Sequence, residues 1–106
     1  MTGTEIEKLA IRMYGAPKQL IKAMEEASEL IQAIAKERTT NPANLEEAWQ
    51  QIEAIMEEAA DMEIMLDQIK LIYYQGAERV ATYKAYKLKR LEKRLQEARP
   101  CNTTDS

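Results

Sequence analysis

The chain has 106 residues, of which 45% are hydrophobic and 31% charged, and its net charge is −3. These values are typical of one folded domain, and no apolar run reaches the roughly 18 residues of a membrane-spanning helix. The absence of histidine excludes Ser-His and Cys-His catalysis and imidazole-bound zinc. The single cysteine, Cys101, excludes a disulfide framework, so with no apolar signal stretch at the N-terminus we expect a cytoplasmic protein.

Four helices are predicted in chain order. The segment "YGAP" at 14–17 ends a short first helix and begins a second. The polar segment 38–44 is a loop, and Asn44 followed by Glu47 resembles a capping box that opens a third helix at Leu45. Apolar residues at 4-3 spacing form a stripe on the second helix, namely Leu20, Met24, Ala27, Ile31 and Ile34. The corresponding stripe on the third helix is Leu45, Ala48, Ile52, Ile55, Met56 and Ala59.

The segment 62–74 is apolar nearly all round a helix. Such a helix is buried on most sides, and a chain this short cannot surround it alone, so we expect a partner subunit to cover part of it. Gly76 allows a break before a last, basic helix over 77–98, and 99–106 is expected to be a flexible tail. The sequence therefore predicts one all-α domain over 1–98, an antiparallel bundle of about four helices whose core is completed by oligomerisation.

Charge is unevenly distributed along the chain. Most acidic residues precede residue 64, whereas 84–99 is strongly basic. An acidic body with a basic last helix can bind a cation and an anion together, although a solvated charged helix has the same composition. The acidic body disfavours binding of duplex nucleic acid, because it would repel the phosphate backbone.

A short acidic phrase occurs twice, as "MEEASE" at 24–29 and "MEEAAD" at 56–61. In each phrase two acids are three residues apart and therefore share one face of the helix. Helical-wheel angles place both acid pairs at the same position relative to the apolar stripes. Because a short loop makes the two helices antiparallel neighbours, the two pairs can face each other.

Four facing carboxylates would need a counter-ion. Two carboxylates about 5 Å apart repel by roughly 3 kcal/mol at an effective dielectric near 20, so the cluster must be protonated or hold a cation. Oxygen ligands suit a hard ion, Mg²⁺ or Mn²⁺. Di-iron sites of helical bundles are disfavoured, because they use Glu-x-x-His pairs. The spacing alone also allows a simpler interpretation, in which both acid pairs face water.

At these residues the sequence resembles the MazG-like all-α nucleoside triphosphate pyrophosphohydrolases, in particular the small single-domain forms of phages and bacteria. The family signature EExxE, spacer, ExxD corresponds to Glu25-Glu26-x-x-Glu29, 28 intervening residues and Glu58-x-x-Asp61. The flanking segments "YGAPKQLIKAMEEASELIQAI", "EEAADMEIMLDQI" and "KLKRLEKRL" are similar to the family as well. The likeness covers about residues 14–95.

The resemblance implies hydrolysis of an NTP or dNTP between the α and β phosphorus atoms, which gives the monophosphate and pyrophosphate. It implies that Mg²⁺, with Mn²⁺ as a substitute, is held by Glu26, Glu29, Glu58 and Asp61. Without histidine, a carboxylate must orient or deprotonate the attacking water. Glu25 is the first candidate for this role and Glu57 the alternative.

The remaining expectations concern the substrate and partners. The candidate phosphate-binding residues are Lys84, Lys87, Arg90 and Arg94. Gln19 and Tyr14 are the candidates for binding the base, and a homodimer or homotetramer is expected through 62–74. Two rival interpretations stay open, namely a non-enzymatic helical scaffold or adaptor and a regulatory homologue that binds nucleotide without turnover.

Overall fold

The computed structural model describes residues 1–99, which form four α-helices. They are α1 (Gly3–Tyr14), α2 (Ala16–Thr39), α3 (Leu45–Ile72) and α4 (Gly76–Ala98). No strand occurs in this range, and the predicted all-α bundle is confirmed. Residues 100–106 of the predicted tail lie outside the described residues. Within residues 1–99, no helix combines the length and the apolar character needed to cross a bilayer.

Local sequence signals set the first two helix boundaries. Thr2 caps α1 in a capping box: its hydroxyl accepts from the Glu5 N–H at 3.1 Å, and its own N–H donates to the Glu5 carboxylate at 3.0 Å. Gly15 then adopts a φ of 88°, which glycine reaches without the steric cost of a Cβ. The chain therefore turns sharply between α1 and α2 at the predicted place.

Asn44 starts α3 at Leu45, as predicted. Its side-chain oxygen accepts from the Glu47 N–H at 2.8 Å. The Glu47 carboxylate accepts from the Ala43 N–H at 2.9 Å, one residue before the N–H that a standard capping box uses. The preceding loop is shorter than predicted, because α2 continues to Thr39.

The helices α2 and α3 form an antiparallel hairpin, and this is the largest interhelical contact of the described chain. α1 packs against both of them, whereas α4 packs only against α3. The break before α4 requires a glycine, because a Cβ at Gly76 would overlap the carbonyl group of Lys70. The hairpin is therefore the scaffold on which any site must be built.

The seam between α2 and α3 is unusually polar. In the described part of the chain, the buried residues of these helices are two apolar ones, Ala23 and Met65, and four polar ones. The polar ones are Gln19, Glu26, Gln51 and Gln68. Buried polar side chains cost free energy unless they find partners, so their concentration on one seam marks it as a candidate functional region.

The apolar stripes lie largely on the outside of the single chain. On α2, Met24 is 72% and Ile31 66% exposed, and on α3 Leu45 is 74% and Met56 54% exposed. In the 62–74 segment, Ile64 and Leu66 are also exposed. One chain therefore leaves large apolar faces uncovered.

Candidate metal and nucleotide site

Three carboxylates from the two acidic phrases meet on the α2–α3 seam. Glu26 of α2 and Glu58 and Asp61 of α3 each offer an oxygen, and these oxygens all lie within 4.8 Å of one another. The three-residue spacing places Glu58 and Asp61 on one face of α3, and the antiparallel hairpin brings Glu26 opposite them. The two phrases therefore face each other through three of their four predicted ligands.

The cluster is only partly neutralised by neighbouring side chains. Lys22 Nζ lies 3.2 Å from Glu26 Oε1, and this hydrogen-bonded pairing, with weaker attraction from Glu25 and Glu29, raises the pKa of Lys22. The other oxygen of Glu26 and one oxygen of Glu58 are buried and have no hydrogen-bond partner within residues 1–99. Buried carboxylate oxygens of this kind are costly without a ligand.

The cluster fits a divalent cation. Three carboxylates and the Lys22 ammonium leave a local charge of about −2, which one divalent ion balances. All donors are oxygens, the ligand type of Mg²⁺ and Mn²⁺. A bound cation would also give the two unpartnered carboxylate oxygens a partner.

A cleft of about 670 Å³ adjoins the cluster. Its wall combines the acids Glu25, Glu26 and Asp61 with two lysines and an apolar surface. The remaining lining residues are Tyr14, Lys18, Gln19, Ile21, Lys22, Ile64, Met65 and Gln68. The volume is in the range of small-molecule sites, and the wall offers carboxylates, cations and an apolar surface together.

Both candidate base-binding residues lie in this cleft. Tyr14 is 58% exposed, and Lys18 Nζ lies 5.7 Å from the centroid of its ring. Gln19 is buried, and its Nε2 donates to Gln68 Oε1 at 2.7 Å. The cleft thus brings the two residues into the same space as the carboxylates.

The other three predicted acids, Glu25, Glu29 and Glu57, differ in their position relative to the cleft. Glu25 lines the cleft, so it is placed to contact a ligand there. Glu29 is exposed on an outward groove of α2 and is not one of the three clustered carboxylates. Glu57 is exposed and does not line the cleft.

The predicted phosphate-binding residues lie outside the cleft of their own chain. Lys84, Lys87, Arg90 and Arg94 are all exposed on α4, and none of them lines the cleft. Arg90 lies over the ring of Tyr86, 5.9 Å from its centroid. In the described chain, the cations that line the cleft are Lys18 and Lys22.

Three residues of the site were not identified from the sequence: Lys18, Lys22 and Gln68. A signal for two of them was present. Lys22 precedes Glu26 by four residues, the spacing of a helical ion pair. Gln68 follows Asp61 by seven residues, as Gln19 precedes Glu26 by seven, so two antiparallel helices that pair at the acids also pair at the glutamines.

Comparison with known proteins found no matching family model, curated protein or solved structure. The resemblance to the MazG-like enzymes therefore stays a prediction. Any proposal for function depends on the geometry of the cleft and its carboxylates.

Proposed function

We propose that the protein is a Mg²⁺-dependent nucleotide pyrophosphohydrolase that converts an NTP or dNTP to the monophosphate and pyrophosphate. The observation that carries the proposal is the cluster of Glu26, Glu58 and Asp61, with its two unpartnered buried oxygens, beside a cleft of nucleotide size. A polyphosphate cannot approach three carboxylates unless cations bridge them. The cluster and cleft together therefore favour a metal-bound polyphosphate over a neutral ligand.

Glu26, Glu58 and Asp61 would hold the metal, and Glu29 would join them only if its side chain turns inward from the outer groove. Bound Mg²⁺ supplies charge neutralisation and polarises phosphoryl oxygens. Lys18 and Lys22 line the same cleft and reduce its negative potential toward the phosphates. No residue of α4 lines this cleft, so Lys18 and Lys22 have this effect without the cations of α4.

Glu25 is the candidate group for the attacking water, because it is the predicted catalytic carboxylate that lines the cleft. It would accept a proton from the water as the water oxygen bonds to phosphorus. The anhydride oxygen leaves with the pyrophosphate, so both products retain the full set of atoms of substrate and water. Glu57 would act on this reaction only from outside the cleft.

The test is release of pyrophosphate from a panel of ribo- and deoxyribonucleoside triphosphates by wild type and two variants. Asp61→Asn removes one clustered charge, and we expect turnover to fall by at least about 100-fold, since even outer-shell partners of metal ligands contribute about 10–100-fold. The matched control is Glu63→Gln, an exposed acid of the same helix outside the cluster, which should keep wild-type turnover. Equal activity of wild type and Asp61→Asn would contradict the metal assignment.

The same proposal includes a homodimer or homotetramer. Its support is the balance of burial, since the apolar stripes are exposed while the internal seam is polar. Light scattering coupled to size exclusion should give two or four copies. Leu66→Lys places a charge in the exposed part of the 62–74 segment and should shift the mass downward without loss of helix content. A monomeric wild-type protein would contradict this part of the proposal.

A further inference from the structure

A hydrogen-bonded pair of glutamine side chains spans the α2–α3 seam at one end of the cleft. Gln19 Nε2 donates to Gln68 Oε1 at 2.7 Å, and the two residues are only 8% and 4% exposed. Both line the cleft that also contains Glu26 and Asp61. A buried side-chain amide pair facing a cleft is a rigid hydrogen-bonding surface, because its partners and its packing fix its orientation.

One carbonyl oxygen and one NH₂ group of the pair take no part in this hydrogen bond. Each glutamine carries a carbonyl oxygen and an NH₂ group, and their mutual bond uses the Gln19 donor and the Gln68 acceptor. The remaining Gln19 oxygen and Gln68 nitrogen have no hydrogen bond within residues 1–99, yet neither is among the fully buried unpartnered atoms. Both atoms therefore keep some exposure, and both residues line the cleft.

We propose that the Gln19–Gln68 pair selects the nucleobase and that Gln68 is a specificity-determining residue. Gln68 presents its Nε2 as a fixed donor beside the Gln19 acceptor. The matching ligand edge carries a donor next to an acceptor, as the Watson–Crick edges of nucleobases do, for example the amino group and ring nitrogen of adenine or cytosine. The inference rests on the proposed function and deepens it by naming the part of the substrate that this end of the cleft reads.

The placement along the helices agrees with a nucleotide lying in the cleft. Gln19 and Gln68 are each seven residues from a clustered carboxylate, about 10 Å along the helix axis. That distance separates the base end from the phosphate end of the ligand. Ile21, Ile64 and Met65 line the same cleft and offer an apolar surface to the face of a base.

The test uses base analogues that lack the ring acceptor. The ratio of kcat/KM is measured for ATP against 1-deaza-ATP and for CTP against 3-deaza-CTP. Wild type should prefer the parent nucleotide by about tenfold or more, because the analogue leaves the Gln68 donor unpaired. In Gln68→Glu the acceptor toward Gln19 is kept but the donor is lost, so this ratio should fall close to one.

The matched control is Gln51→Glu, the same change at another buried glutamine of α3 that does not line this cleft. It should keep the wild-type ratio, since a merely structural effect of a buried carboxylate does not change selectivity between parent and analogue. If Gln68→Glu fails to fold, Gln68→Met, which also lacks the donor, replaces it. An unchanged ratio in the folded Gln68 variant overturns the inference.

The failure of this inference can be separated from that of the proposed function. The same parent-to-analogue ratio is also measured for calorimetric binding of AMP and CMP and their deaza analogues. Wild-type protein that hydrolyses no triphosphate but shows the binding ratio refutes the enzyme and supports the base-reading pair. Turnover without any parent-to-analogue preference supports the enzyme and overturns the base-reading role of the Gln19–Gln68 pair.

Discussion

Removing one carboxylate from the Glu26–Glu58–Asp61 cluster should stabilise the metal-free protein while abolishing its response to Mg²⁺. The informative change is Glu58→Gln, because Glu58 is partly buried and one of its oxygens has no partner within residues 1–99. A structural ion pair would behave in the opposite way, since loss of its carboxylate lowers stability.

The magnitude follows from the separation of the charges. At 4.8 Å, the upper limit of the oxygen separations in the cluster, and an effective dielectric near 20, two carboxylate charges repel by about 3.5 kcal/mol. Lys22 offsets part of this repulsion, although its side chain is 53% exposed and its effect is screened accordingly. The new amide can also donate to the unpartnered Glu26 oxygen. A net gain of about 1–2 kcal/mol corresponds to a rise in Tm of roughly 4–16 °C for a domain of this size.

The assay is thermal unfolding in EDTA and in excess Mg²⁺ at matched ionic strength and fixed protein concentration. Wild type should gain stability with Mg²⁺ by mass action, whereas Glu58→Gln should start higher and respond little. Glu53→Gln, an exposed acid of α3 outside the cluster, controls for the change in net charge and should keep the Mg²⁺ response. If Glu58→Gln is less stable than wild type in EDTA, or keeps the full Mg²⁺ shift, Glu58 is not part of a repulsive, metal-binding cluster.

Two further predictions concern stability away from the cleft. The pKa of Glu7 is raised above its ordinary value of 4.5, first by desolvation and then by the charge of Asp67 and a hydrogen bond to it. The folded state therefore favours protonated Glu7. The stabilisation that this gives is fully present below pH 4.5 and is lost as pH rises through the pKa of the folded state. Glu7→Gln should raise Tm at pH 7, with a gain that shrinks toward pH 4, and a constant gain in melts across this range would contradict the coupling. Gly76→Ala should lower stability by about 1–3 kcal/mol in denaturant titrations, because its Cβ overlaps the Lys70 carbonyl, whereas Gly3→Ala meets nothing within 4 Å and is the control.

The helix boundaries follow from local sequence signals, and the acid cluster follows from them in part. Gly15 and Asn44 fix helix boundaries through backbone conformation and capping, which depend on only a few neighbouring residues. Helical spacing and a short loop allow the two acid pairs to face each other, and three of the four acids do so, although the same spacing also allows both pairs to face water. The helix boundaries could therefore be derived without tertiary information, whereas the spacing makes the acid cluster possible without requiring it.

Other parts depend on packing that spacing does not determine. Met24 and Ile31 belong to a clean apolar stripe, yet they face outward, because the α2–α3 seam is occupied by Gln19 and Glu26. Helical periodicity shows which residues share a face but not which face a neighbour covers. Gln68 was missed although it follows Asp61 at the spacing by which Gln19 precedes Glu26, because this match indicates a pair only once the two helices are known to meet at the acids.

The proposed pyrophosphohydrolase activity is tested most directly by following one nucleoside triphosphate by ³¹P NMR with Mg²⁺ and with EDTA. We expect the signals of the monophosphate and pyrophosphate to appear together, and only when the divalent ion is present. Diphosphate with inorganic phosphate would show cleavage at the wrong bond. No turnover of any triphosphate by folded, Mg²⁺-bound protein would contradict the enzyme and favour a helical scaffold or a nucleotide-binding regulator.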